Sequence, residues 1–176
     1  TAELDAIART AITAAGGRPS FLGYTPEPGL TPFPGSVCAS VNDVVIHGIP
    51  GPRVLADGDV VTIDCGVLLD GWHSDSAVTV AVGATDLRVA RLLGATQGAL
   101  DAAVAAMQPG NRLGDIGAAI QERVTGAGFA VIPELGGHGI GRSLRKDPQV
   151  PNYGERGQGL ELIPGMVLAV EPIVTT

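Results

Sequence analysis

Apolar residues Leu4, Ile7, Ala8, Ala11 and Ile12 recur at helical spacing behind Thr1, a residue suited to cap them, and Gly16-Gly17 ends the segment. Residues 18–35 then lose periodicity and fill with Pro and Gly, which predicts a loop carrying Phe21, Tyr24 and Phe33. Residues 36–46 read as extended chain, and His47-Gly48-Ile49-Pro50-Gly51-Pro52 as a turn. Two strands follow at 60–69 and 72–82, joined by Asp70-Gly71, a strong two-residue hairpin signal.

The second half repeats the theme. Thr85 is positioned to cap a long Ala-rich helix running to about Met107, which Pro109-Gly110 breaks. Asn111 can cap the next helix, whose stripe is Leu113, Ile116, Ala119, Ile120 and Val124, and Gly126 and Gly128 end it. An apolar strand at 129–132 leads to a Gly-rich turn at 136–141, a polar loop and a last strand at 166–174. Both halves hold a helix closed by paired glycines. The run Asp57-Gly58-Asp59-Val60-Val61-Thr62-Ile63-Asp64 also aligns with Pro164-Gly165-Met166-Val167-Leu168-Ala169-Val170-Glu171, each with Gly six residues before a carboxylate. Two matches in the same order indicate an internal duplication.

Composition narrows the class. At 176 residues, 45% of them hydrophobic, the chain has length and material for one globular domain. Aromatics are only 3%, so Ala, Val, Leu and Ile must do most of the packing. Eleven basic against eighteen acidic residues, a net charge of −7, argue against a nucleic-acid partner. No apolar run reaches the length of a membrane span, and Cys38 and Cys65 lie far apart without a CxxC, which argues against a disulfide scaffold. The chain starts without Met and stops just behind an apolar run, so both ends read as cuts.

Candidate chemistry lies with the carboxylates. Asp64 sits inside an apolar strand, where a charge costs several kcal/mol unless it is paired or bound to metal. With Asp70-Gly71 as the loop, Leu69 faces Trp72, Gly66 faces Asp75 and Asp64 faces Ala77. Asp64 and Asp75 then share a face as diagonal neighbours, with Cβ atoms within about 7–8 Å. Carboxylates that close repel unless a cation or proton lies between them. Read alone, either could serve an arginine or an exposed face. Together, with Glu171 similarly placed in the second half, they suit a divalent metal, and with a histidine the set fits Mn, Fe, Co or Zn. His138 and His47 each read either as loop hydrogen-bonding residues or as ligands. His73, on the face of Asp75, is either a further contact or a solvated strand residue. The Gly-x-Gly-x-Gly run from Gly137 lacks a phosphate-binding pattern.

These residues carry a resemblance. Pro34 to Asn42, His47-Gly48-Ile49-Pro50, the run to Asp64, Asp70-Gly71-Trp72-His73-Ser74-Asp75, Gly137-His138-Gly139-Ile140-Gly141, Pro148 to Tyr153 and Gly165 to Pro172 resemble the type I methionine aminopeptidases of the pita-bread, M24-type metallopeptidase family. The resemblance spans nearly the whole chain. It implies an α+β pita-bread fold, a pseudo-two-fold antiparallel sheet with outer helices, in one catalytic domain over residues 1–176 that is truncated at both ends. It also implies two divalent metal ions on Asp64, Asp75, His138 and Glu171, with Glu171 taking a proton from a hydroxide-forming water between them. His47 would contact the substrate's amine side. Phe21, Tyr24, Phe33, Cys38 and Leu144 fall where the family builds the pocket for a methionine side chain, although loop anchoring would equally explain them. The implied partners are N-terminal Met peptides of nascent chains, met by a cytoplasmic monomer with neither nucleic acid nor membrane bound.

Two departures from the family stand out. Arg145 occupies the place of a second, substrate-binding histidine; arginine donates hydrogen bonds but does not titrate near neutrality. A fifth ligand, a glutamate on a strand beyond Glu171, falls past Thr176. The leading function is removal of N-terminal methionine; the alternatives are a catalytically impaired binding module and a prolidase-like peptidase.

Overall fold

The computed structural model describes residues 1–176, which form two compact units. Residues 1–85 with 141–144 make the first, and residues 86–140 with 145–176 the second. The division after Thr85 falls between the halves that the repeat separates. No helix is long and apolar enough to cross a membrane.

In the first unit, α1 (Ala2–Ala14) buries only Ile12. Thr1 does not cap it through its side chain; its Oγ1 instead accepts from Gly51 N at 2.9 Å. Asp5 reaches from α1 to accept the main-chain N–H groups of Ser36 and Val37, and Arg9 Nε donates to Ser36 Oγ at 2.9 Å. These bonds fix the start of the strand that follows.

Antiparallel strands β1 (Arg18–Pro19), β2 (Val37–Val41), β3 (Val60–Leu69) and β4 (Trp72–Ala81) form one sheet. Strand β4 pairs with all of β3, so β1 and β2 share the other side of β3. The expected extended run at 36–46 stops at Val41 because Asn42 turns to φ +55°. The hairpin is as predicted: Asp70 and Gly71 have φ +51° and +77°, the two positive values a type I′ turn requires. Leu69 opposes Trp72, Gly66 opposes Asp75 and Asp64 opposes Ala77.

In the second unit, α2 (Leu87–Ala106) begins at Asp86, not Thr85, because the Asp86 carboxylate accepts from Val89 N at 2.8 Å. Helix α3 (Leu113–Gly126) begins behind Arg112, whose N–H is held by Asp115 at 2.7 Å; Asn111 bonds Ala106 O instead. Ala95, Ala99 and Ala103 on α2 meet Ile116, Ile120 and Val124 on α3 in a core completed by Phe129, Val150 and Leu162. Small residues at four-residue spacing make one ridge, which branched side chains fill from the other helix.

Two antiparallel sheets complete the unit. In one, β5 (Ala130–Val131) pairs with β9 (Val174–Thr175). In the other, β6 (Gly136–Gly139) runs between β7 (Lys146–Pro151) and β8 (Leu168–Ala169). Two expectations change here. The Gly-rich segment is a central strand rather than a turn, and the strand expected over 166–174 is broken in two around Pro172, which has no N–H to donate.

Candidate functional site

The site builds from two local geometries, one in each unit. In the first, parity along β3 puts Asp64, Gly66 and their opposites Ala77 and Asp75 on a single face, with Cys38 opposite Asp64 from β2. A side chain on Gly66 would meet the ring of Phe21, 2.7 Å from Cε1. Phe21 therefore lies over that face, beside the carboxylates, and Gly66 is the vacancy that admits it. The negative charge of the face registers on its neighbours. Burial first, then Asp64 and Asp75, push the Cys38 thiol up to about 12, and the same causes raise the Cys65 thiol.

His73 shares the face and is anchored rather than simply solvated: its Nδ1 is 2.8 Å from Ser20 Oγ, while Ser20 N donates to Gly66 O at 2.8 Å. Those bonds bring the 18–35 loop back onto β3. Within that loop Gly23 N donates to Phe33 O and Phe33 N to Tyr24 O, at 2.8 and 2.9 Å, so Tyr24 and Phe33 stand side by side, both half-buried. Phe21, Cys38 and Leu144 are each buried. His47 is exposed and takes φ +56°, beside Gly48, which β2 grips through Ala39 N to Gly48 O and Gly48 N to Ser40 Oγ at 2.8 and 3.0 Å.

In the second unit, His138 lies at the centre of β6 and is 3% exposed. Its opposite on β8 is Ala169, which makes Glu171 its diagonal neighbour on the same face. The imidazole Nε2 is 3.3 Å from Glu171 Oε1. On its other side, Nδ1 is 2.9 Å from Gly139 O. A carbonyl only accepts, so Nδ1 carries the proton, and Nε2 turns its lone pair to the carboxylate unless doubly protonated. Two acceptors that close call for a cation or a proton between them. A histidine held by a main-chain carbonyl with its other nitrogen beside a carboxylate is the usual arrangement of a metal ligand.

The glycines around His138 have a steric purpose. A Cβ on Gly136, Gly137 or Gly139 would come within 2.6, 2.0 or 2.3 Å of carbonyl oxygens on the flanking chains. Only glycine lets those backbones close on the histidine.

One contributor escaped sequence analysis. Asn152 is fully buried and its Nδ2 donates to Glu171 O at 2.7 Å and Leu135 O at 3.3 Å, fixing the main chain at the glutamate. Its position in Pro151-Asn152-Tyr153, within a matched motif, was the available signal. Arg145 is exposed.

Comparison with known proteins places this geometry. The sequence pattern of metallopeptidase family M24 matches residues 1–176. Methionine aminopeptidase 1 of Mycobacterium tuberculosis is 48% identical over 179 residues, covering 98% of this chain and 65% of that protein. Methionine aminopeptidase B of Synechocystis is 47% identical over 154 residues, covering 87% of this chain and 56% of that protein. The chain thus spans less than two thirds of the length of either relative. The crystal structure of methionine aminopeptidase from Rickettsia prowazekii matches at a TM-score of 0.92 with 38% identity, covering 98% of this chain and 67% of that one. A metallopeptidase family implies divalent metal, which suits the donors His138 and Glu171 and the paired Asp64 and Asp75. Matched along its whole length and sharing the pita-bread fold, the chain belongs to metallopeptidase family M24.

Proposed function

We propose that the protein is a metal-dependent aminopeptidase that removes the N-terminal methionine of newly made polypeptides. The observation that carries this reading is the pair of diagonals, Asp64 with Asp75 across β3 and β4, and His138 on β6 with Glu171 two residues beyond its opposite Ala169. Asp64, Asp75, His138 and Glu171 would hold two divalent ions, with Mn, Co, Fe or Zn matching the mixed carboxylate and imidazole donors. Bound there, the ions supply Lewis acidity toward a water and the scissile carbonyl.

The chain's own residues do the rest. Glu171 takes a proton from the attacking water and returns it to the departing amine. Gly139 O keeps His138 in the tautomer that presents Nε2, and Asn152 keeps Glu171 in register with it. Exposed His47 binds the amine side of the substrate. Phe21, Tyr24, Phe33, Cys38 and Leu144 enclose the methionine side chain in a mostly apolar wall. Arg145 donates hydrogen bonds toward the carbonyl oxygen and stays charged throughout the neutral range. The substrates are N-terminal Met peptides of nascent chains, met by a cytoplasmic monomer whose two units serve as one catalytic domain.

The test pairs metal analysis with hydrolysis of a Met-Ala-Ser peptide in the presence of added Mn or Co. The expected result is bound metal with turnover, both lost in His138→Ala. Full metal loading with no turnover would overturn the enzyme and leave a metal-binding module. Replacing Arg145→His measures what the arginine contributes: a rate that does not change removes it from the substrate contacts.

A further inference from the structure

We propose that Arg142 is a positioning residue for the substrate pocket: it clamps segment 141–144 onto the tip of the β3–β4 hairpin and so fixes Leu144 in the pocket wall. The proposal rests on the aminopeptidase reading above and deepens it.

Arg142 is an exposed arginine with an unusual number of commitments. Its guanidinium lies 4.1 Å from the centre of the Trp72 ring. Nη1 donates to Asp70 O and to Gly71 O, each at 3.2 Å. A planar cation stacked on one face and bonded along its edge is confined to one orientation, which a lysine could not reproduce. The turn is shaped to receive it. The φ of +77° at Gly71 calls for glycine, and the absent Cβ leaves the space that Nη1 takes, 2.5 Å from where that atom would lie.

Few other hydrogen bonds hold the segment to the hairpin. One main-chain bond, His73 N to Gly141 O at 2.8 Å, joins it to β4, and Gly141 N to Ser143 O at 3.1 Å curls it on itself. Leu144, two residues on, is nevertheless 6% exposed. Arg142 is the side chain that ties this short segment to the strand pair bearing Asp64 and Asp75, while standing outside the proposed ligand set.

The test compares Arg142→Ala, Arg142→Lys and wild type, all Mn-loaded. Because Arg142 is exposed and the His73–Gly141 bond remains, the variants keep the fold. Arg142→Ala should raise KM for Met-Ala-Ser about threefold to tenfold and weaken calorimetric binding of free methionine by the same factor. Its kcat and metal content should stay near wild type, and Arg142→Lys should recover only part of the loss. Trp72 is the sole tryptophan, so its emission should move to longer wavelength when the guanidinium leaves. Wild-type KM and methionine affinity in an Arg142→Ala protein with shifted emission would overturn the proposal. Equal falls in kcat, metal content and melting temperature would overturn it too, by showing a merely structural clamp. A metal-loaded wild type that neither binds methionine nor cleaves the peptide would instead sink the aminopeptidase reading.

Discussion

Adding one methyl group at Gly137 should unmake half of the candidate centre. Strand β6 is squeezed between β7 and β8, and a Cβ at this position would lie 2.0 Å from Ala169 O, 3.0 Å from Ala169 C and 3.2 Å from Val170 Cα. All three neighbours are main chain, so no rotamer change relieves the clash. Reaching an ordinary contact of 3.4 Å requires β8 to retreat by about 1.4 Å. A hydrogen-bond window of about 2.7–3.2 Å cannot absorb that movement, so the β6–β8 ladder opens. Losing about two ladder bonds at ~1 kcal/mol each, with a buried carbonyl left unsatisfied at ~1–3 kcal/mol, costs on the order of 3–5 kcal/mol. The same opening pulls Glu171 away from His138, so Mn affinity should fall by about tenfold to a hundredfold. Gly94→Ala supplies the control. Gly94 is exposed in α2 with nothing within 4 Å of an added Cβ, and the change should stabilise by ~0.5–1 kcal/mol. Urea denaturation followed by circular dichroism reads stability, and calorimetric titration with Mn reads affinity. A Gly137→Ala protein with the wild-type midpoint and Mn affinity, or a shift in the same direction as Gly94→Ala, would refute the steric account of the glycine-rich strand.

Two further outcomes follow from titrating groups. With its thiol pushed from 9.0 to about 12, Cys38 should react with iodoacetamide at pH 8 about a thousandfold more slowly in the folded protein than after unfolding in urea, as mass spectrometry of the labelled peptide would show. Comparable rates in both states would remove the burial and carboxylate charge invoked for that face. Asp115 accepts from Arg112 N and Gly157 N, which hold its carboxyl below the ordinary value of 3.8, with Arg156 and Arg112 adding favourable charge. A depressed carboxylate contributes stability above its unfolded value and loses it as pH falls through the folded one. Asp115→Asn should therefore lower the urea midpoint at pH 7, and the gap to wild type should close only below pH 3.8. A gap that does not depend on pH would contradict the capping role.

What could be read in advance, and what could not, follows from how glycine and proximity are encoded. Asp70-Gly71 between two alternating runs fixes the turn type, the turn fixes the register, and the register places Asp64 diagonal to Asp75. The glycines around His138 carry no such determinate signal. Glycine marks either a backbone with positive φ or a place where a Cβ has no room, and only the second applies at 136, 137 and 139. Sequence patterning favours the first, hence the expected turn. The segment expected as one strand over 166–174 fails for a related reason. Its apolar residues read as continuous, but Pro172 cannot donate and Glu171 O is taken by Asn152 rather than by a neighbouring strand. Helices α2 and α3 start one residue later than the sequence predicts because Thr85 and Asp86, or Asn111 and Arg112, offer adjacent candidates, and the carboxylates of Asp86 and Asp115 take the main-chain N–H groups.

The two halves nonetheless solve one problem by one rule. In each, a carboxylate lies two residues from a small residue, Gly66 or Ala169, and that small residue faces the second donor, Asp75 or His138, across an antiparallel pair. At Gly66 the freed volume is filled by Phe21, and at Ala169 the backbone closes on Gly137. A side chain at position 66 would collide with the Phe21 ring, and one at position 137 with the Ala169 carbonyl. The first diagonal could be derived from sequence because a two-residue turn makes the strands contiguous and their register countable. The second joins strands separated by β7 and its flanking loops, so no count along the chain reaches it. The aligned carboxylates Asp64 and Glu171 are therefore visible as a repeat, while the geometry that gives the second one a partner depends on Gly137, whose missing Cβ lets the Ala169 backbone close on β6.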